Sequence, residues 1–282
     1  MLEHEIALRL FCFLTVLCCV ALWEALRPKR IRQVARKIRW RRNLSLVVIN
    51  SFFIRLLVPF TAVGVALYAH ENQLGLLNYV SLPFEVVVIV SVLLMDLLIY
   101  GQHVVFHYVP WLWRLHKVHH IDQEIDVTTG LRFHPVEILL SSLIKCASVL
   151  LLGIPVVAVV IFEILLNATA MFNHGNIRLP LTVDRILRLM VVTPDMHRVH
   201  HSMIPQETNS NFGFNMPWWD RIFGTYRAQP EQGHIKMEIG LQEYRPINKT
   251  GLWALMVIPF LRASQATSDK ASSDKSNSDQ AN

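Results

Sequence analysis

The stretch WLWRLHKVHHIDQEID (residues 111–126) and its counterpart TPDMHRVHHS (193–202) each contain the pattern H-x-x-H-H. On a helix that turns ~100° per residue, three histidines at this spacing fall within roughly a 100° arc and point towards one place. An H-x-x-x-H precedes the first stretch, and the isolated His174 lies between the two. The sequence therefore predicts a metal site whose candidate ligands are nine of the chain's 13 histidines: His103, His107, His116, His119, His120, His174, His197, His200 and His201.

The composition is typical of a membrane protein. Of 282 residues, 52% are hydrophobic and 17% are charged, which is too apolar for a soluble domain of this length. The formal net charge is +6, and nine of the 27 Lys and Arg residues lie between Arg27 and Arg42, beside an apolar segment. Basic residues concentrated in one short loop indicate membrane topology, so nucleic acid is not expected as a partner. The four cysteines lack C-x-x-C spacing, so no thiolate metal site is expected.

Hydrophobic stretches predict an all-α integral membrane protein with about four membrane-inserted helices plus a re-entrant or hairpin turn. Residues 6–26, about 46–69 and about 84–100 are the first candidates, because ~20 apolar residues cross the hydrocarbon. The first is expected to be a retained span, since acidic residues precede it and no cleavage motif follows. The basic loop after it favours the cytoplasm, which places the histidines at the end of the third span on the cytoplasmic side.

Residues 136–172 decide whether one metal centre can form at all. A single crossing would carry His174 and the second H-x-x-H-H to the opposite side of the membrane from the first. Gly153-Ile154-Pro155 predicts a hairpin instead, because proline removes a helical hydrogen bond and glycine permits a turn. All nine histidines then belong to a cytoplasmic helical cap that holds a poly-histidine dimetal site.

The number of histidines bears on the metal. Nine imidazoles exceed what one ion of four to six ligands can use, so two metal ions are expected. Imidazole suits Zn, Cu, Fe and Ni alike, which leaves the element open. In H-E-x-x-H zinc motifs a glutamate stands between the ligands, whereas here Lys117-Val118 and Arg198-Val199 do. The residues alone are compatible with a zinc-dependent membrane hydrolase and with a non-catalytic metal- or haem-binding membrane protein.

These histidine motifs, together with TTGLRFHP (128–135) and NFGFNMPWWDRIFGTY (211–226), resemble those of the membrane fatty acid hydroxylase and sterol desaturase superfamily over about residues 90–230. The resemblance implies O2-dependent hydroxylation or desaturation of a lipid C–H bond at a di-iron centre. It implies two Fe ions, with zinc as a possible substitute, and an external electron donor of ferredoxin or cytochrome b5 type. TTGLRFHP is more similar to the sterol desaturase and alkylglycerol monooxygenase side of this superfamily than to its fatty acid 2-hydroxylase side. NHGN (173–176) departs from the H-x-x-x-H of some members, which leaves coordination positions for water, Asn or His134.

This resemblance divides the chain into four parts: N-terminal spans with the basic loop (1–89), a fatty acid hydroxylase/sterol desaturase-like catalytic domain (90–230), a C-terminal cap extension (231–262) and a disordered tail (263–282). The tail is expected to be disordered because it has nothing apolar to bury. A bacterial cell membrane is favoured as the location, or the endoplasmic reticulum membrane if the protein is eukaryotic.

Further polar residues are candidates for ligation or for orienting the ligands: His134, Asp96, Asp195, Asn211 and Asp220. Asp96 lies seven residues before His103, hence on the same helical face, where it could accept a ligand N–H or pair with Arg55. His134 precedes a proline, so it would approach the metal from a loop. Glu163 and Asn167 are expected to orient His174, to line a substrate channel, or only to pack as polar residues within the helices, and Lys145 has no predicted partner.

Overall fold

The computed structural model describes residues 4–245 and 251–261, and every regular element in these two ranges is helical. Five helical segments are long and apolar enough to cross a membrane. The protein is therefore an all-helical, multi-pass membrane protein. The α-helices in chain order are α1 (Glu5–Leu26), α2 (Arg36–Leu57), α3 (Ala62–Glu71), α4 (Phe84–Tyr108), α5 (Pro110–His120), α6 (Pro135–Leu152), α7 (Val156–Asn173), α8 (Leu181–Leu187), α9 (Pro194–His200), α10 (Pro205–Thr208), α11 (Trp218–Ile222), α12 (Gly233–Lys236) and α13 (Leu252–Val257).

The second apolar stretch forms two helices, whereas the sequence predicts one continuous span. Helix α2 begins inside the basic loop and ends at Leu57, and α3 begins after Thr61. Pro59 disfavours helical geometry at Val58, whose φ of −118° and ψ of 99° are extended. The Thr61 hydroxyl then accepts the Gly64 N–H at 3.0 Å and caps α3. The break follows from local sequence chemistry.

Helices α6 and α7 form the predicted hairpin around residues 153–155. Gly153 adopts a left-handed conformation with φ of +68° and ends α6, and Pro155 precedes α7. A Cβ at Gly153 would lie 2.8 Å from the Leu74 carbonyl oxygen, so the close approach of the loop before α4 also requires glycine. Because the hairpin reverses the chain, α6 begins and α7 ends at the same end of the bundle.

The membrane part has an apolar core and an apolar exterior. Buried side chains of α3, α4, α6 and α7 pack together, among them Met95, Val149 and Phe162. Large apolar side chains such as Phe52 and Leu151 are exposed on the outside of the bundle. Exposed apolar surface on spanning helices suits contact with lipid, and helical hydrogen bonding satisfies the backbone there.

Buried charges attach the loop after α5 to the membrane helices. Arg39 of α2 donates from Nε to Asp122 at 2.9 Å and also pairs with Asp126. In α1, Glu24 accepts the backbone N–H groups of Val127 at 2.7 Å and Asn176 at 2.9 Å. These contacts hold the segments on both sides of the hairpin at the end of the bundle where the histidines lie.

The short helices α8 to α13 are attached to the same end. The Arg30 guanidinium, in the loop after α1, donates to the carbonyl oxygens of His234 and Met237 at 2.7 and 2.8 Å. Part of the predicted cap extension (231–262) is therefore described, and it contains α12 and α13. The predicted disordered tail (263–282) lies outside the described residues.

Candidate metal centre

The structure brings all nine predicted histidines together in two adjacent groups. Within each group the ring nitrogens that could bind a metal lie within 4.8 Å of one another, and every member is buried. The five-histidine cluster consists of His103, His107, His116, His120 and His200. The four-histidine cluster consists of His119, His174, His197 and His201.

The two H-x-x-H-H motifs each contribute to both clusters. Helix α5 directs His116 and His120, spaced i and i+4, into the five-histidine cluster and His119 into the other. The segment of α9 does the reverse: it directs His200 into the five-histidine cluster and its i, i+4 pair into the four-histidine cluster. Around the helix, the last histidine of each motif lies ~40° to one side of the first and the middle histidine ~60° to the other side. The three rings therefore share one side of the helix but can reach two neighbouring sites. The two motifs together thus form two binding places.

Local capping sets where these helices begin. Pro110 occupies the first turn of α5, and Pro194 that of α9, positions at which proline costs no helical hydrogen bond. The Thr193 hydroxyl accepts the Met196 N–H at 3.3 Å and caps α9. His174 follows the last residue of α7, and its Nδ1 bonds the Ala170 carbonyl oxygen. Proline and cap residues therefore fix the helical register of the histidines.

In the four-histidine cluster, hydrogen bonds define the tautomers. The Nδ1 atoms of His174 and His119 lie 2.6 and 3.2 Å from the carbonyl oxygens of Ala170 and Arg132. A carbonyl oxygen only accepts, so both Nδ1 atoms carry the hydrogen and both Nε2 atoms present lone pairs. These two Nε2 atoms face each other at 3.1 Å.

The five-histidine cluster repeats this arrangement. His103 donates from Nδ1 to the Phe212 carbonyl oxygen at 2.7 Å, and His116 donates from Nδ1 to Oε1 of Glu137 at 2.6 Å. Their Nε2 atoms, both without hydrogen, lie 3.1 Å apart. The Nε2 atoms of His107, His120 and His200 are buried and have no hydrogen-bond partner among the described residues.

This geometry fits a cation. Burial, followed by repulsion from neighbouring imidazoles, holds the pKa of His119 well below its usual value, and burial lowers the pKa of His174 to about 4. The rings are therefore neutral, and facing lone pairs at 3.1 Å repel unless a positive ion lies between them. Two nitrogen ligands at ~2.0–2.1 Å from one metal ion are about 2.9–3.4 Å apart. Both clusters have the chemistry of a nitrogen-ligated metal site.

His134 lies outside both clusters. Its Nδ1 accepts the Val136 N–H at 3.2 Å, so the side chain caps α6, and its Nε2 donates to the Met256 carbonyl oxygen at 3.2 Å. Asp96 also bonds elsewhere: its Oδ2 accepts the Trp219 indole N–H at 2.8 Å, and among the described residues it forms no hydrogen bond or ion pair with either predicted partner, His103 or Arg55. Both residues stabilise the surrounding structure rather than touching the clustered nitrogens.

Asp220 and Asn211 support ligands from one step away. Asp220 accepts the backbone N–H groups of Phe212 and Gly213 at 2.7 and 2.9 Å, and the Phe212 carbonyl in turn holds His103. Burial raises the pKa of Asp220. Asn211, at φ of +52°, donates from Nδ2 to the Met196 carbonyl oxygen at 2.9 Å. The NFGFN segment thus links α9 and α11 to the five-histidine cluster.

Asp195 stands between two cations. Its carboxylate accepts from Lys29 Nζ at 2.8 Å and from Arg198. Burial by itself would raise the pKa of Asp195, but the Arg198 guanidinium and the hydrogen bond from Lys29 outweigh it and lower the pKa to about 2. Asp195 therefore joins α9 to the loop after α1, and its hydrogen bonds go to Lys29 and Arg198 rather than to a clustered histidine.

Glu137 is the site residue that sequence reasoning missed. It lies in the first turn of α6, 4% exposed, and accepts the N–H of His116. A carboxylate in this position fixes the tautomer and increases the basicity of a ligating imidazole. The one sequence signal is its place two residues after Pro135, directly behind the TTGLRFHP motif; its 21-residue separation from His116 hides the contact.

A cavity of about 630 Å³ opens from the five-histidine cluster into the membrane helices. His103 and His116 form one end of its lining, next to the apolar side chains of Phe106, Phe133 and Phe214. Members of the four-histidine cluster are absent from this lining. The two clusters therefore differ in access, because one faces the cavity and the other lies behind it.

Glu163, Asn167 and Lys145 line the same cavity further from the histidines. Glu163 forms ion pairs with Lys145 and with Arg9 of α1, which supplies the partner for Lys145 that the sequence did not indicate. Asn167 donates from Nδ2 to the Glu163 carbonyl oxygen at 2.7 Å. Of the three predicted roles for Glu163, its position matches lining a channel and polar packing between helices, and in the described part of the chain it makes no hydrogen bond to His174.

Sequence comparison relates the residues that form this site to a known family. Residues 88–225, which include all nine histidines, match the model of the fatty acid hydroxylase family. Over 52% of the chain, it is 28% identical to an ornithine lipid hydroxylase of Rhizobium tropici (44% of that protein's length), 26% identical to the alkylglycerol monooxygenase of Homo sapiens (32%) and 26% identical to the cholesterol 25-hydroxylase of Rattus norvegicus (49%). The matches span between about a third and a half of the length of these relatives, and no solved structure matches significantly. Residues 88–225 thus form a domain of the fatty acid hydroxylase family.

Proposed function

We propose that this protein is a membrane oxidoreductase that uses O2 and two iron ions to oxidise a C–H bond of a lipid. The observation that carries the proposal is the pair of buried histidine clusters in which unprotonated Nε2 atoms face each other at 3.1 Å. The names of the relatives, hydroxylase and monooxygenase, support hydroxylation over desaturation as the outcome.

The five- and four-histidine clusters would each hold one ion. Nitrogen ligands suit iron and zinc alike, so the choice of iron rests on the family. When bound, iron supplies the reduction of O2 and the removal of hydrogen from an unactivated C–H bond, with electrons from an external carrier of ferredoxin or cytochrome b5 type. Insertion of one oxygen atom consumes two electrons and two protons and releases water with the hydroxylated lipid.

The chain's own residues position the substrate and exclude water. A lipid would enter the cavity among the membrane helices and approach the five-histidine cluster, which alone faces that space. Phe106 and Phe133 beside His116 make this end apolar, which limits access of bulk water to the reacting carbon. Glu137 holds the His116 ring with its Nε2 towards the cluster. The site thus combines an apolar substrate approach with fixed nitrogen ligands.

We also place the site on the cytoplasmic side. The basic segment 27–42 lies at the same end of the bundle as the histidines, since its Arg39 pairs with Asp122, two residues beyond His120. Lys and Arg in short loops favour the cytoplasmic side. A cytoplasmic site would be reachable by a soluble electron carrier. The test introduces a single cysteine at the exposed Arg185 in a cysteine-free background and treats intact cells with a membrane-impermeant reagent. Labelling of this cysteine should fail until the cells are opened.

The deciding experiment measures metal content and oxygen uptake together. Protein produced with iron supplied is expected to contain two irons per chain and to consume O2 when a chemical reductant and a membrane lipid extract are added. His119→Ala should lose iron and oxygen uptake, whereas His70→Ala, which removes an exposed histidine outside both clusters, should keep both.

Zinc gives the contrary outcome. Two zinc ions that persist in iron-replete protein, with no lipid-dependent oxygen uptake, would overturn the proposal and support a zinc-dependent hydrolase. Mass spectrometry of the lipids then identifies the chemistry directly, since hydroxylation adds one oxygen atom, desaturation removes two hydrogens and hydrolysis splits the lipid.

A further inference from the structure

We infer that the end of the cavity remote from the histidines is an anion-binding subsite, formed by Arg9, Lys145 and Glu163, for the charged group of an amphiphilic substrate. The inference rests on the proposed function, because it takes this cavity for the substrate cavity. The ligand chemistry is a carboxylate or a phosphate attached to a hydrocarbon chain.

The cavity has two chemically different ends. At one end His116 and Glu137 belong to the metal centre, and at the other lie Lys145 and Glu163. Lys145 is eight residues beyond Glu137 on α6, which corresponds to ~12 Å of helix. Glu163 is seven residues before Ala170 on α7, or ~10 Å. A substrate whose charged group lies at the far end would therefore place a carbon about 10–12 Å away beside the histidines.

The charges at the far end are unequal in number. The lining there includes three cations, Arg9, Arg55 and Lys145, and one carboxylate, Glu163. Arg9 and Lys145 both pair with this single carboxylate. The Nε donor of Arg9 is buried and has no hydrogen-bond partner among the described residues. Glu5 lies 3.8 Å from the Arg9 guanidinium but outside the cavity lining. Within the cavity, positive charge exceeds negative charge.

The position of these cations makes an anionic ligand the natural complement. All three lie on candidate membrane-spanning segments, where ionisable side chains are costly and usually face a partner or a cavity. One acidic side chain cannot satisfy the donors of two cations that face an open cavity. A ligand carboxylate or phosphate accepts charge-assisted hydrogen bonds from Lys and Arg and would supply the missing negative charge.

The test compares three amphiphiles with the same alkyl chain and different head groups: palmitate, hexadecyl phosphate and hexadecanol. Their radiolabelled forms are partitioned between nanodiscs that contain the full-length, metal-loaded protein and empty nanodiscs. The protein should bind at least one of the two anions more tightly than hexadecanol. Which of the two binds tighter identifies the head group, carboxylate or phosphate.

Substitutions connect this selectivity to the cluster. Lys145→Met and Arg9→Gln should each weaken anion binding by about 10- to 100-fold, the effect of one charge-assisted hydrogen bond, and leave hexadecanol binding unchanged. Lys145→Arg should retain the selectivity. Glu163→Gln should tighten anion binding because it removes the internal competitor. Lys37→Met, the same change at an exposed lysine outside the cavity, is the matched control.

The contrary result is equally defined. Equal affinity for all three amphiphiles, or equal losses for all three in Lys145→Met and Glu163→Gln, would show that the ion pairs only join α1, α6 and α7. Selective anion binding without lipid-dependent oxygen uptake would refute the proposed function and leave the subsite standing. Oxygen uptake without head-group selectivity would refute the subsite alone.

Discussion

Replacing Glu137 tests whether the buried carboxylate supports the five-histidine cluster. Its Oε1 accepts the His116 N–H at 2.6 Å, and the two residues are 4% and 2% exposed, so this hydrogen bond is shielded from bulk water. A hydrogen bond to a charged group contributes about 1.5–3 kcal/mol. Glu137→Ala removes it, leaves the ring free to rotate and lowers the basicity of Nε2. Loss of such an outer partner typically costs about 10- to 100-fold in metal affinity.

The assay is a competitive metal titration against a chelator, followed by metal content after dialysis. Glu137→Ala should release one ion about 10- to 100-fold more readily and keep the second, because His116 contributes to only one cluster. Glu137→Gln retains an acceptor oxygen, so its metal affinity should lie between that of the wild type and that of Glu137→Ala. Glu85→Ala removes an exposed carboxylate near the start of α4 and should bind both ions normally. Wild-type affinity at both sites in Glu137→Ala would show that this carboxylate does not support metal binding.

Three further substitutions test other contacts. Gly130→Ala should destabilise the protein and lower metal occupancy at His174, because its Cβ would lie 2.5 Å from the Ala170 carbonyl oxygen; metal analysis and thermal unfolding in detergent measure both effects. In Asp220 the two carboxylate oxygens each accept one backbone N–H, and Asp220→Asn replaces one of these oxygens with an N–H donor. The substitution should therefore cost about 1–3 kcal/mol in unfolding free energy and loosen His103. Arg39→Met removes the cation that pairs with the buried carboxylates of Asp122 and Asp126 and should cost about 3–5 kcal/mol by denaturant unfolding.

The pH dependence follows from one of those carboxylates. Burial alone would raise the pKa of Asp122, but Arg39 and Arg132 outweigh it and lower the pKa to about 2. A lowered pKa contributes stability that is complete above the unfolded value of ~3.9 and is lost as the pH falls towards 2. The unfolding free energy should therefore fall over this range in metal-free protein, and it should fall less in Arg39→Met.

Each of these predictions has a contrary outcome. Gly251→Ala adds a Cβ that meets no atom within 4 Å and is the control for Gly130→Ala; equal stability of the two variants would contradict the close approach. Unchanged metal content in Asp220→Asn would separate the NFGFN segment from the metal centre. A pH profile identical in wild type and Arg39→Met would show that Asp122 gains nothing from that arginine.

Local chemistry explains how much of the fold was predictable. Apolar stretches of the right length indicate spanning helices, and Gly153 and Pro155 indicate the hairpin, because both effects depend on residues adjacent in sequence. The interruption at Pro59 carries a similar local signal, but the continuous apolar pattern on both sides of it favoured a single span.

The spacing of the histidines is enough to predict that the three rings of each H-x-x-H-H motif lie on one side of a helix. How the nine histidines divide into five and four depends on tertiary packing, because it requires knowing which rings from α4, α7 and α9 meet each face of α5. The same dependence assigned Asp96 and His134 to structural contacts and brought Glu137 to His116. Ligand type is a property of residues and their spacing, whereas the partner of a buried polar group depends on how distant segments pack.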